Sequence, residues 1–275
     1  HLLAVAGSRG KSGAAVLLGR AALRCGAGLV TVASPASSQP VVAAQQAELM
    51  TEPLEETESG AASFRALDRV LDLLAGRDAL ALGPGLGADP ETARLVLAVV
   101  ARRSAPAVVD ADGLNAIASG GGPAPSSPAA SPAPLVLTPH PGEAARLAGT
   151  SAAEIQSDRL GAARRLAREA GAVVVLKGHR TVVATPEGRA SINSTGNPGM
   201  ASAGMGDVLT GMLGAFLARR IPAADAARLS VFLHGAAGDL AAARLGQEAM
   251  TATDALRDLP EAIRSLAAGP AVAAW

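Results

Sequence analysis

The chain has 275 residues, 49% hydrophobic and 17% charged, with 24 basic against 24 acidic side chains. It is long enough for one large α/β domain, and its zero net charge offers no long-range pull on nucleic acid or a membrane surface. No Tyr, one Trp and three Phe argue against base stacking; a single Cys excludes an internal disulfide and suits a reducing, cytoplasmic setting; no apolar run reaches membrane-spanning length.

In chain order, short apolar runs alternate with helical patterns. Strands are expected at 2–6, 29–33, 79–82, 107–109, 135–137, 173–176 and 181–184. Helices are expected at about 13–25, 64–75, 90–103, 112–118, 142–148, 152–170, 207–219, 223–244 and 258–267. Continuous apolar strands, each followed by a helix, predict a mostly parallel central sheet with helices on both faces and a ligand site at the carboxyl ends of the strands. The chain opens on His1 and not Met, which predicts a terminus trimmed or excised from something longer; its first seven residues read as a buried strand and not a signal peptide. The tract 119–134, SGGGPAPSSPAASPAP, reads as a flexible loop insertion within one domain spanning 1–275, because it has too little apolar surface to order itself.

Several motifs fall at predicted strand ends. Gly7-Ser8-Arg9-Gly10-Lys11-Ser12 looks like a P-loop but is not one, since Val5 stands where the first glycine is needed. Gly83-Pro84-Gly85-Leu86-Gly87 reads either as a close backbone approach to a ligand or as a tight turn. In Asp110-Ala111-Asp112, Asp112 reads as a helix cap and Asp110 as the functional member, a candidate for positioning a cation. Thr138-Pro139-His140-Pro141-Gly142-Glu143 is a turn stiffened by two prolines that presents His140 and Glu143 at the ligand edge; Glu143 is a candidate for holding a metal through water, or else a plain dipole partner. Lys177-Gly178-His179-Arg180-Thr181 reads either as a phosphate-pairing segment closing over a nucleotide or as an exposed hairpin turn. The glycines of His234-Gly235-Ala236-Ala237-Gly238-Asp239 are expected to serve close helix packing.

The most informative stretch is 193–207, a loop of small residues running into an apolar helix. Gly204, Met205 and Gly206 would aim backbone N–H groups and a helix dipole at one point, an anion nest, with the Asp207 carboxylate at its lip. A carboxylate there repels phosphate unless it holds a hydroxyl or a metal ion, so the pair reads as phosphoryl transfer with Asp207 catalytic; the bland alternative is an N-cap.

Taken together, AGS (6–8), GAGLVTVA (26–33), GPGLG (83–87), VVDADGLN (108–115), LTPHPGEAARL (137–147), VVLKGHRTVV (174–183), TGNPGMASAGMGDVLTGM (195–212) and HGAAGDLAA (234–242) resemble the ribokinase-like NAD(P)H-hydrate dehydratases, over nearly the whole chain. The chain departs from that pattern at Lys11, near which an aromatic residue is common, and at Met205, where a small hydroxyl residue is usual. The resemblance implies nucleotide-driven loss of water from the hydrates NADHX and NADPHX. The ring hydroxyl is phosphorylated, and phosphate then leaves. Mg²⁺ and ADP, or ATP, would be needed. By position, the hydrate would contact Ala14, Gly85, His140 and Asp207, and the nucleotide Lys177, Gly178, His179, Arg180, Thr181 and Gly206. The resemblance also implies a homo-oligomer and fusion to, or cooperation with, an NAD(P)HX epimerase. Two other readings share the same nest: a ribokinase-like kinase of a small alcohol or vitamin precursor, and a non-catalytic nucleotide-binding protein.

Overall fold

The computed structural model describes residues 1–120 and 131–268. Among these, nine strands form one sheet: β1 (Leu2–Val5), β2 (Val30–Pro35), β3 (Met50–Leu54), β4 (Ala79–Leu82), β5 (Ala107–Val109), β6 (Leu135–Leu137), β7 (Val173–Leu176), β8 (Val182–Ala184) and β9 (Ala190–Ile192). Their spatial order is β3-β2-β1-β4-β5-β6-β7-β8-β9. All pairings from β3 across to β7 are parallel, while β8 and β9 continue the sheet antiparallel.

The continuous apolar strands have a simple cause. In β1, Leu2 and Ala4 enter one core, whereas Leu3 and Val5 enter the other, and all four are fully buried. Each face is roofed by helices, so neither side-chain set of the pleat meets water. One roof contains α1 (Ser12–Arg24), α2 (Gln39–Ala43), α9 (Met205–Ala218), α10 (Ala223–Leu245) and α11 (Ala252–Ala268). The other contains α3 (Leu67–Ala75), α4 (Pro90–Arg102), α5 (Asp112–Ser119), α6 (Pro141–Ala148), α7 (Ala152–Ser157) and α8 (Arg159–Ala170). Helix α9 is buried on nearly every side. It fits closely against α1 because Gly211 has no side chain: a Cβ there would lie 2.1 Å from the Leu18 carbonyl oxygen.

Some elements differ from expectation. The helix expected over 152–170 is two helices, divided at Asp158, whose carboxylate accepts the Gly161 N–H at 2.8 Å and caps α8. The helix expected at 258–267 begins at Ala252 and runs through Pro260. Its buried stripe of Ala252, Ala255, Leu256, Leu259 and Ala262 outweighs one missing backbone hydrogen bond. The edge strands β3 and β9 and the short α2 were not expected. The insertion expected at 119–134 lies, over 121–130, outside the described residues.

Candidate active site

The carboxyl ends of β5, β6 and β7 meet the N-terminus of α9 in one cleft of about 910 Å³. Gly204 opens α9 in the left-handed region at φ 87°, with no side chain capping it. The first backbone bond of the helix is Val208 N–H to the Gly204 carbonyl, at 3.1 Å. The N–H groups of Met205, Gly206 and Asp207 precede it and are not used by the helix, so they present partial positive charge to the cleft. Met205 does not obstruct this nest: its side chain is buried in the core under α9, and only its backbone is needed at the surface. Gly206 matters for a different reason. A Cβ there would lie 3.4 Å from Asp110 Oδ2 and 3.6 Å from Lys177 Nζ, so its bareness leaves the N–H groups beside that ion pair.

Asp110, at the end of β5, is buried, and both its oxygens are taken. Oδ1 accepts from Lys177 Nζ at 2.5 Å and Oδ2 from the Thr210 hydroxyl at 2.7 Å. Considered from sequence as a cation ligand, Asp110 is here the anchor of Lys177. Burial disfavours the Lys177 charge, but Asp110 and Glu143 together hold its ammonium above the ordinary lysine range. It is therefore a fixed positive charge at neutral pH. The turn after it is a β-hairpin, as one of the two sequence readings had it. Arg159 braces that turn by donating to the Leu176 and Lys177 carbonyls at 3.1 and 3.3 Å. Gly178, His179 and Arg180 are exposed along the cleft, and the Thr181 hydroxyl bonds back to the Gly178 carbonyl at 3.0 Å.

His140 and Glu143 form a reciprocal cap on α6. Nδ1 of His140 accepts from Gly142 N–H at 3.0 Å and Glu143 N–H at 3.3 Å, and Glu143 Oε2 accepts the His140 N–H at 2.8 Å. With Nδ1 accepting, the neutral ring carries its proton on Nε2. Glu143 is buried, with Oε2 3.7 Å from Lys177 Nζ. Asp207 sits in the first turn of α9. Burial, and then the Asp110 carboxylate, push its pKa up to about 6; Lys177 pulls the other way and Asp112 adds a smaller upward push. Such a carboxylate is ionised at neutral pH yet a better proton acceptor than a surface aspartate.

Of the residues singled out from sequence, His140, Asp207, Met205, Gly206, Glu143, Asp110 and Lys177 to Thr181 line this one cleft. Ala14 and Gly85 do not. Ala14 lies in the first turn of α1 and Gly85 just past β4, where a Cβ on Gly85 would come 2.9 Å from Ala14 Cβ. Thr210, His234 and the Asp239 anchor of the 193–200 loop were not singled out from sequence as parts of the site. Thr210 completes the Asp110 anchor. The loop 193–200 forms a wall, tied to α10 by Asp239, which accepts from Gly196 N–H at 2.9 Å and Asn197 Nδ2 at 3.0 Å. His234 of α10 also lines the cleft. The α10 glycines admit that loop and not another helix: a Cβ on Gly235 would strike Thr195 Oγ1 at 2.2 Å, and one on Gly238 would strike Met200 Sδ at 2.3 Å.

A family model described as NAD(P)H-hydrate dehydratase matches residues 2–261. The chain belongs to the NAD(P)H-hydrate dehydratase family. Within it, a bifunctional NAD(P)H-hydrate repair enzyme from Moorella thermoacetica is 52% identical over 266 residues, which cover 97% of this chain and 49% of that protein. This chain thus spans about half the length of that curated relative. A solved ADP/ATP-dependent NAD(P)H-hydrate dehydratase from Bacillus subtilis, co-crystallised with ATP/Mg²⁺, superposes with a TM-score of 0.79 at 29% identity, covering 96% of this chain and 88% of that one. A ribokinase-like superfamily protein from Enterococcus faecalis superposes with a TM-score of 0.80 at 26% identity, covering 96% and 86%. The fold is therefore ribokinase-like, as the family resemblance implied. Among the described residues no helix is long and apolar enough to cross a membrane.

Proposed function

We propose that this chain restores NADH and NADPH from their hydrates at the expense of ADP or ATP. The observation that carries this reading is the meeting of an unfilled helix N-terminus, a fixed ammonium and a proton-accepting carboxylate in the one cleft of a chain that matches the dehydratase family from residue 2 to 261. Hydroxide is a poor leaving group and phosphate a good one, which is the physical reason to consume a nucleotide. The ring hydroxyl attacks the terminal phosphorus of the nucleotide, whose bond to the bridging oxygen breaks to release AMP from ADP or ADP from ATP, while Asp207 aligns the hydroxyl and takes its proton late in a loose transition state. The Met205, Gly206 and Asp207 N–H groups and the Lys177 ammonium stabilise the charge on the group in flight. The ring nitrogen then expels phosphate, the adjacent ring carbon loses a proton, and the dihydronicotinamide remains. His140, with its Nε2–H at the exposed edge of the same cleft, orients the hydrate, and the Lys177–Thr181 turn holds the nucleotide. Ala14 and Gly85 are assigned to the far end of the hydrate.

Mg²⁺, when bound with the nucleotide, would neutralise phosphate charge. Glu143 fits it only through water, because Oε2 accepts the His140 N–H and Oε1 lies 3.4 Å from His140 Nε2. We place the chain in the cytoplasm, as a homo-oligomer, acting alongside an NAD(P)HX epimerase activity. The test is incubation with NADHX, Mg²⁺ and either ADP or ATP. Return of the dihydronicotinamide absorbance is the expected result. A stable phosphate ester would instead identify a kinase of an alcohol, and nucleotide binding without turnover a non-catalytic protein.

A further inference from the structure

Arg159 stands behind the Lys177–Thr181 turn, and no step of the proposed chemistry uses it. It is the first residue of α8, just after the Asp158 cap, and its half-buried side chain reaches back to the end of β7. One nitrogen, Nη2, donates to two successive carbonyls, those of Leu176 at 3.1 Å and Lys177 at 3.3 Å, while Nη1 donates to Gln156 Oε1 at 2.9 Å. All three acceptors are neutral, so ion pairing does not account for its place. Gly178 makes the close approach possible. It sits at φ 137°, where glycine is favoured, and a Cβ on it would lie 3.0 Å from Nη1 and 3.1 Å from Nη2. The guanidinium thus lies against the bare Gly178 backbone. Gly178 lines the cleft and Arg159 does not, so the turn separates the two. A trans peptide points its C=O and its N–H in opposite directions, and no peptide bond among the described residues is cis. With the Leu176 carbonyl turned to Arg159, the Lys177 N–H points away and reaches the Pro139 carbonyl at 2.8 Å. With the Lys177 carbonyl turned to Arg159, the Gly178 N–H must point away as well. That N–H has no partner among the described residues. It comes next in the chain after Lys177, whose ammonium would lie 3.6 Å from a Cβ on Gly206 at the start of α9.

We infer that Arg159 is a positioning residue: by holding the Lys177 carbonyl it turns the Gly178 N–H into the cleft, where that N–H donates to a phosphate oxygen of the bound nucleotide. This rests on the nucleotide-dependent reading above and adds to it a residue that never touches the ligand. The same grip on the Leu176 and Lys177 carbonyls fixes the backbone from which the Lys177 ammonium reaches Asp110.

Calorimetric titration with ADP and with adenosine tests it on wild type, Arg159→Met and Arg159→Lys. Methionine keeps an unbranched chain over Gly178 but donates no hydrogen bond, whereas a lysine ammonium can still donate to the two carbonyls. The ADP Kd should weaken about tenfold in the Met variant, the scale of one hydrogen bond to a charged group, and stay within about threefold of wild type in the Lys variant. Adenosine affinity should be the same in all three, which a general loosening of the cleft would not allow. In ¹⁵N–¹H spectra the Gly178 amide resonance should move on adding ADP to wild type, and move less in the Met variant. ADP bound as tightly by the Met variant as by wild type would overturn the inference while leaving the nucleotide reading intact. Equal losses for ADP and adenosine would do the same. Wild type that fails to bind ADP would overturn both. If the Met variant does not fold, the wild-type spectra decide: a Gly178 amide that does not respond to ADP would overturn the inference.

Discussion

Two places in this fold lie at the carboxyl ends of strands and carry glycine-rich loops, yet they end up very different. At the ends of β1 and β4, where the strand order changes direction, the loops close on each other. Gly7 N–H bonds the Pro84 carbonyl at 2.8 Å, the Ser8 hydroxyl bonds the Gly85 carbonyl at 2.8 Å, and Gly87 N–H bonds Asp112 at 2.7 Å. At the ends of β5 to β7, by contrast, the start of α9 leaves the Met205, Gly206 and Asp207 N–H groups without partners among the described residues. At Gly83, in the first region, the missing side chain serves packing: a Cβ there would lie 1.9 Å from the Asp110 carbonyl oxygen. In the second it keeps an anion site bare. Unfilled donors, more than glycine content, set apart a backbone that can take up an anion.

Breaking the second region should cost chemistry. Asp207→Asn keeps size and much of the hydrogen bonding but cannot take a proton. We expect kcat to fall roughly 10²–10⁴-fold, the scale of a positioned base. Thermal stability should stay within about 1 kcal/mol, since no core packing changes. Near-normal turnover would reduce Asp207 to a helix residue. Breaking the first region should cost stability. Gly83→Ala forces a methyl group into the Asp110 backbone at φ 126°, and denaturant unfolding should show a loss of about 3 kcal/mol. A folded Gly83→Ala protein of wild-type stability would contradict the packing role.

His140→Ala sharpens the division within the cleft. Activity with the hydrate should drop about tenfold, and the lost cap should cost about 1 kcal/mol in thermal unfolding. ADP affinity by calorimetry should hold; its loss would move His140 to the nucleotide side. The smallest effect is expected from replacing the 119–134 tract by a few Gly and Ser residues. Turnover should change little, and a loss above about tenfold in a well-folded protein would make that tract part of the site.

The parallel sheet was readable because fully buried strands are apolar without interruption, as in Val173–Leu176 and Leu135–Leu137. The edge strands were not. Met50–Leu54 carries Glu52 and Pro53, which an edge tolerates and a central strand does not, so it has no such signature. The uncapped start of α9 at Gly204 to Asp207 was legible because local backbone geometry makes it. The Asp110–Lys177–Thr210 cluster was not, because it joins residues 67 and 100 positions apart. His234 left a trace: with Val231, Gly235 and Gly238 it forms one stripe at helical spacing, three of its four members lining the cleft. Read as helix packing, that stripe concealed its purpose, since only the folded loop 193–200 shows what the glycines admit.

The central claim is that Asp207 accepts the hydroxyl proton in the α9 cleft, and the pH dependence of kcat/KM tests it most directly. Its raised pKa of about 6 means the ionised, working form is lost as pH falls through that value. With hydrate and nucleotide well below saturation, kcat/KM should rise with pH as a single ionisation centred near 6 and level off above it, and the Asp207→Asn enzyme should show a low value without that limb. A wild-type profile flat from pH 5 to 8, or a limb that survives intact in the Asn variant, would contradict the account.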